Sequence, residues 1–73
     1  MEIDSILKST FGATPEMIAD PSFKLNNMPE WDSLAHMFFI TKLEEEFSIE
    51  LSGDEILELL TVGDVIRIVA TKK

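Results

Sequence analysis

Apolar residues recur along this chain at the three- and four-residue spacing of amphipathic helices, and not at the alternating spacing of half-buried strands. The first such segment runs from Glu2 to Phe11, and Gly12 after it is a residue type that commonly ends helices. Thr14 followed by Pro15 predicts a short helical turn, because proline suits the first helical position. The expected inward face of the first helix consists of Ile3, Ile6, Leu7 and Phe11.

The second helix is the best marked in the sequence. Asp32 is a suitable N-cap, since its carboxylate can accept hydrogen bonds from free backbone N–H groups. At about 100° per residue, the apolar positions that follow cover most of the helix circumference. The predicted inward residues are Leu34, Met37, Phe39, Ile40, Leu43 and Phe47, and the sector left for solvent or a partner holds Ala35, Phe38, Lys42, Glu45 and Glu46.

Two further helix starts carry capping pairs. Ser52 and Glu55 have the spacing of a capping box, and Thr61 with Asp64 repeats it with a shorter acid. The first pair opens a short helix and the second opens a last helix that ends near two lysines, Lys72 and Lys73, where the helix dipole favours cations. The short helix carries Ile56, Leu59 and Leu60, and the residues expected inward on the last helix are Val62, Val65, Ile66 and Val69.

A long connection, residues 13–31, separates the first two main helices and contains all three prolines. A loop of about 20 residues is unusual in a small domain and is often functional. We expect Phe23, Leu25 and Met28 to attach it to the core. The pattern therefore predicts an all-α fold over residues 1–73: a single domain built as a small bundle of three main helices plus one short helix, with a long first loop.

Composition narrows the class of protein. The chain has no cysteine, which excludes disulfides and thiolate metal sites. Its first ten residues, MEIDSILKST, are too polar for a signal peptide, and no apolar run approaches the roughly 20 residues that span a bilayer. These features predict a cytoplasmic protein without a membrane span. We expect a free-standing protein, because the chain is short and begins with methionine, and we expect it to be a monomer.

Charge is distributed unevenly along the chain. There are 14 acidic and 6 basic residues, which gives a net charge of −8, and Lys42 is the only lysine or arginine between residues 30 and 64. Such a surface repels nucleic acid and anionic membranes and favours a partner with a basic surface. The alternative is that the acidity serves solubility alone.

Ser33, in the stretch PEWDSLAHM, has the most informative position. As a catalytic nucleophile it would need a base held by a third group. The only histidine, His36, lies three residues later on the same helix, and no oxyanion site accompanies the two, so the sequence does not predict an enzyme. We interpret His36 as a partly exposed surface residue, or else as a contact for whatever binds near Ser33. The carboxylate-rich stretches lack the spacing of a calcium loop, and no metal site is expected.

The start of a helix does suit a phosphate, because its free N–H groups and the positive end of its dipole attract anions. The tripeptide D-S-L at 32–34, followed by an apolar helix that ends in LEEEF, resembles the acyl carrier protein family. The segment FSIELSGDEILELLTV at 47–62 and the pairs FG at 11–12 and SF at 22–23 are also similar to family positions, so the resemblance covers nearly the whole chain.

By this resemblance Ser33 is the attachment site of 4′-phosphopantetheine, which a separate phosphopantetheinyl transferase moves from coenzyme A. Asp32 supports the attachment and Leu34 completes the motif. The arm's thiol would carry an acyl or aminoacyl group as a thioester, and the protein itself would catalyse nothing. The second helix would be the surface that the transferase, a loading ligase and acyl-transferring enzymes with basic surfaces contact.

Two residues depart from the family pattern. Trp31 stands where the family often has a small residue, and we interpret it as a packing anchor similar to a hydrophobic staple, the alternative being a wall beside the arm. Phe38 stands where a fatty acid carrier typically has an acid; it is a candidate recognition residue, unless it packs against the loop. Phe38 favours a dedicated pathway over general fatty acid synthesis. The competing hypothesis is an unmodified acidic interaction domain that keeps the carrier fold.

Overall fold

Five α-helices and one 3-10 turn form the fold in the computed structural model, which describes residues 2–72. The predicted all-α bundle is confirmed: three of these helices are long, and the described residues contain no sheet. The predicted role of Lys73 lies outside the described residues. The helices are α1 (Glu2–Phe11), α2 (Pro15–Ala19), α3 (Ser33–Phe47), α4 (Gly53–Leu57) and α5 (Val62–Lys72), with the 3-10 turn at Leu25–Asn27.

Side-chain caps define the helix starts, as the sequence predicts. The Thr14 hydroxyl accepts a hydrogen bond from a backbone N–H of α2. Ser52 and Glu55 bond each other's backbone N–H groups at 3.2 and 2.9 Å, which completes the capping box of α4. Thr61 and Asp64 form the same reciprocal pair before α5, at 3.1 and 3.2 Å. Local chemistry therefore sets where these helices begin.

The core forms where α1 packs against α3. The rings of Phe11 and Phe39, both fully buried, lie 4.9 Å apart and tilted by 41°. Burying each aromatic side chain stabilises the fold by about 1.5–3 kcal/mol relative to leaving it exposed. The buried apolar residues are Ile3, Ile6, Leu7, Phe11, Ala13, Leu25, Met28, Phe39, Ile40, Leu43, Ile49, Leu59, Val62, Val65, Ile68 and Val69.

Backbone hydrogen bonds hold the first loop to the segment before α5. The N–H of Leu25 donates to the carbonyl of Leu60 at 2.9 Å, and the N–H of Val62 donates to the carbonyl of Phe23 at 3.1 Å. Leu25 and Met28 are buried and Phe23 packs against the core, which confirms the predicted attachment. The long loop is therefore a fixed part of the bundle.

Ion pairs join α5 to α4. Lys72 Nζ lies 2.8 Å from Glu55 Oε1, and Arg67 reaches Glu58 at 3.8 Å. The hydrogen bond from Lys72 is the main cause of a lowered pKa at Glu55, helped by its capping bond with Ser52. A carboxyl group with a lowered pKa stabilises the fold above its ordinary pKa, and this contribution is lost as the pH falls.

Two residues predicted inward at the start of α3 are exposed instead. Leu34 is 78% and Met37 54% exposed, and the first buried residue of α3 is Phe39. The predicted outward residue Ala35 is half-buried against the core. Periodicity gives the direction of each side chain but not which turns of a helix are covered by a neighbour, so the prediction was wrong for the first turns.

The apolar assignments for α4 and α5 also need correction. Helix α4 ends at Leu57, before Leu59 and Leu60, and Leu60 is 63% exposed while Leu59 is buried in the core. On α5, Ile66 is 40% exposed and Ile68 takes the predicted inward place. The helical period allows either isoleucine beside Val65 and Val69, and in the structure Ile68 is the one that joins the buried core.

Adjacent phenylalanines on α3 provide a matched test of this core. We expect Phe39→Ala to lower the free energy of unfolding by about 3–5 kcal/mol, the cost of a large buried cavity. Phe38→Ala removes an exposed ring and should change it by less than about 0.5 kcal/mol. Urea unfolding followed by circular dichroism measures both, and equal losses would contradict the packing described.

Candidate functional site

Helix α3 begins at Ser33 because Asp32 caps it, as predicted. The backbone of Asp32 is extended, its Oδ1 accepts a 2.7 Å hydrogen bond from the N–H of Ala35, and its carbonyl accepts the first helical bond, from His36 at 2.9 Å. Ser33 is exposed, and its hydroxyl has no hydrogen-bond partner within residues 2–72. The serine is therefore presented to solvent on a helix start of fixed geometry.

This position suits a phosphate ester. The N–H groups of Ser33 and Leu34 belong to the first turn and have no helical carbonyl to bond. These N–H groups lie at the N-terminus of α3, which is the positive end of the helix dipole and attracts an anion. A phosphate joined to the Ser33 oxygen would lie at that end, with Asp32 already occupied by Ala35. The residues present fit a phosphopantetheine arm.

Trp31 and His36 form a hydrogen-bonded pair across the start of α3. The indole Nε1–H donates to His36 Nδ1 at 3.2 Å, and the two ring centroids are 5.9 Å apart in an edge-on arrangement. His36 also stacks on Phe11 of α1, with centroids 6.4 Å apart. The predicted packing of Trp31 is confirmed, since it is half-buried against the core.

Sequence reasoning missed the role of His36. His36 is partly exposed, as the sequence predicts, but its contacts with the rings of Trp31 and Phe11 were not foreseen. The spacing contained a signal: a hydrophobic staple joins the residue before the N-cap to the fourth helical residue, and these are Trp31 and His36. The signal was weak because the usual partner of a staple is an aliphatic side chain.

Burial lowers the pKa of His36 from its ordinary value of 6.5. The neutral ring has one N–H, and Nδ1 is the acceptor for Trp31, so the proton lies on Nε2. A lowered histidine pKa means that the unfolded chain binds more protons than the folded one. Stability is therefore full above the ordinary pKa and declines as the pH falls below it.

A mostly apolar cavity of about 360 Å³ opens beside this pair. It lies between the first loop, the start of α3, and α4 with the residues after it. Trp31 and His36 line the cavity on the side of α3. In the chain, Trp31 lies two residues before Ser33 and His36 lies three residues after it. The other lining residues are Lys24, Leu25, Asn26, Ile56, Leu57, Leu59 and Leu60.

The opposite side of α3 presents the predicted partner face. Phe38 is 64% exposed, so it does not pack against the loop, and Lys42, Glu45 and Glu46 are exposed beside it. No carboxylate within residues 2–72 pairs with Lys42. The exposed Leu34 and Met37, which the sequence assigned to the core, enlarge the apolar part of this helix surface.

Comparison with known proteins identifies the family. Residues 2–69 match the family model described as a phosphopantetheine attachment site. The chain is similar to the acyl carrier protein of Wolinella succinogenes, with 31% identity over 99% of this chain and 93% of that protein, and to that of Chlamydia trachomatis serovar D, with 32% identity over 99% and 92%. The chain belongs to the acyl carrier protein family. The acyl carrier protein of Beutenbergia cavernae is 41% identical over 53% of this chain and 48% of its own.

Membership in the acyl carrier protein family means that this chain is a non-catalytic carrier with covalently attached 4′-phosphopantetheine, and that a phosphopantetheinyl transferase and other enzymes interact with it. The resemblance found in the sequence is confirmed. Among residues 2–72, no helix is long and apolar enough to cross a bilayer, and no cluster of side chains suits a metal ion.

Two substitutions distinguish the capping hydrogen bond of Asp32 from the effect of its negative charge. We expect Asp32→Ala to lower the free energy of unfolding by about 1 kcal/mol, because the Ala35 N–H loses its acceptor. Asp32→Asn keeps a capping oxygen and removes the charge, so it should remain within a few tenths of a kcal/mol of the parent. Thermal unfolding of the three proteins is the measurement, and an equal loss in both variants would show that charge, not capping, matters.

Proposed function

We propose that Ser33 is the residue that carries 4′-phosphopantetheine. The observation that supports this most directly is its exposed hydroxyl, unbonded within the described residues, on the first residue of a capped helix. Asp32 supports attachment by fixing that helix start, and Leu34, 78% exposed, is available to the transferase. The D-S-L sequence at this place agrees with the proposal.

The chain's own part in loading is presentation. The transferase joins the Ser33 oxygen to the phosphorus that bears the pantetheine arm. The bond from that phosphorus to the bridging oxygen of the coenzyme A diphosphate breaks, adenosine 3′,5′-bisphosphate leaves, and the serine proton passes to the enzyme. The bound group supplies a thiol that holds the acyl or aminoacyl cargo as a thioester. No basic side chain of the described residues is hydrogen-bonded to Ser33, so both steps need partner enzymes.

The partners we propose are a loading enzyme and acyl-transferring enzymes of a dedicated pathway in the cytoplasm, acting on a monomeric carrier. Glu45 and Glu46 on the exposed side of α3 attract basic surfaces, and Phe38 offers an aromatic contact at the centre of that side. A fatty acid carrier typically has an acid at the place of Phe38, so this surface fits a partner with an apolar recess.

Attachment is tested by intact mass after incubation with coenzyme A and several phosphopantetheinyl transferases. The parent should gain one phosphopantetheine, and Ser33→Ala should gain none while keeping its helical circular dichroism spectrum. Ser9→Ala, which changes an exposed serine of α1, is the matched control and should be modified like the parent. An unmodified parent would favour the alternative, an acidic interaction domain, and modification of Ser33→Ala would place the arm elsewhere.

Two substitutions test the partner face, one that reverses a charge and one that replaces the aromatic ring by an acid. Glu45→Lys should slow association with the loading enzyme of the pathway, more strongly at low salt, because exposed charges act on the association rate. Phe38→Glu should weaken that complex by about 2 kcal/mol or more, mainly through faster dissociation, if the ring is a central contact. It should also improve acceptance by an enzyme of fatty acid synthesis. Unchanged affinity of Phe38→Glu for the loading enzyme would contradict a dedicated surface.

A further inference from the structure

The Trp31–His36 pair is not needed to explain an exposed Ser33, yet it brackets that residue in the chain. Trp31 precedes the Asp32 cap and His36 lies in the second turn, so their hydrogen bond spans the segment that holds Ser33. The bond requires an acceptor at Nδ1, which only the neutral histidine provides. A proton on His36 would place two N–H donors against each other.

We propose that His36 is a positioning residue: in its neutral form it holds Trp31 against the cavity beside Ser33, and protonation releases Trp31, opens the cavity and loosens the segment that presents Ser33 to the transferase. The link to loading depends on the proposed function, whereas the release of Trp31 does not.

Two contacts and a cavity carry the proposal. The 3.2 Å bond fixes the indole, the stack on Phe11 fixes the imidazole, and both rings form one wall of the 360 Å³ cavity. Releasing the indole removes part of that wall. The end of the first loop is also joined to the last residue of α1 by a backbone hydrogen bond, in which the Glu30 N–H donates to the Phe11 carbonyl at 3.0 Å.

Few charged groups surround the pair. The first loop contributes Lys24, which lines the same cavity, and Glu30, whose carboxylate lies over Gly12 at the end of α1. The start of α3 contributes Asp32, which is engaged with its capping bond. Histidine is the side-chain type whose charge ordinarily changes near neutral pH, and burial lowers the pKa of His36 from its ordinary value. The residues that α1 and the region of α4 present to the pair are apolar: Phe11, Ile56, Leu57, Leu59 and Leu60.

The chain contains one tryptophan and one histidine, so each event has its own signal. Nuclear magnetic resonance of the His36 ring gives its protonation, and Trp31 emission with acrylamide quenching gives the release of the indole. In the parent apo protein, emission should shift to longer wavelength and quenching should increase with the same midpoint as His36, below pH 6.5.

Two variants distinguish hydrogen bonding from packing. His36→Asn places an uncharged acceptor near the position of Nδ1, so Trp31 should stay quench-protected over the whole pH range. His36→Leu keeps apolar volume without an acceptor, so Trp31 should be accessible at every pH. Circular dichroism confirms that each variant is folded at each pH. Emission that stays constant while His36 titrates, or that titrates alike in His36→Asn, would overturn the release of Trp31.

The consequence for Ser33 is measured as kcat/KM of the transferase for each apo protein at saturating coenzyme A. The ratio of parent to His36→Asn cancels the transferase's own pH dependence. It should be near one above the His36 midpoint and fall several-fold below it, whereas a purely structural histidine leaves it constant. A constant ratio with a titrating indole would refute the positioning of Ser33 alone. Absence of any phosphopantetheine transfer at any pH would refute the attachment proposal and leave the indole result to decide the release.

Discussion

The contact between Phe11 and Phe39 holds the helix that bears Ser33 against the rest of the bundle. Both rings are fully buried, and they join α1 to the middle of α3, the longest helix. With the middle of α3 fixed, its first turns extend past the core, which leaves Leu34 and Met37 exposed and presents Ser33 to solvent. Such presentation is what the proposed attachment at Ser33 requires.

The start of α3 is held by two interactions of different origin. The Asp32 cap is local, because it joins residues three apart in the chain and needs no other helix. The Trp31–His36 bond is local in spacing, but its geometry depends on Phe11 of α1 and on the cavity beneath. The first interaction sets where the helix begins, and the second joins the helix to Trp31, the last residue of the first loop.

The two sides of α3 therefore have different physical characters. One side carries exposed carboxylates and an exposed phenylalanine, which suits recognition by another protein. The other closes an apolar cavity with a titratable side chain. Ser33 is the exposed first residue of this helix, where the proposed function requires an enzyme to reach it.

The sequence by itself determined the helix starts, the all-α class, the family and the uneven charge. Helix caps and the D-S-L tripeptide are short-range patterns. Each capping hydrogen bond joins residues three apart in the chain, so Asp32, Ser52 and Thr61 could be recognised from the sequence. Only the tertiary structure decided which apolar residues are covered. Leu34, Met37 and Ile66 satisfy the helical period but meet no neighbouring element that buries them. The partnership of His36 was likewise decided by the ring of Phe11, which arrives from another helix and whose position no local pattern encodes.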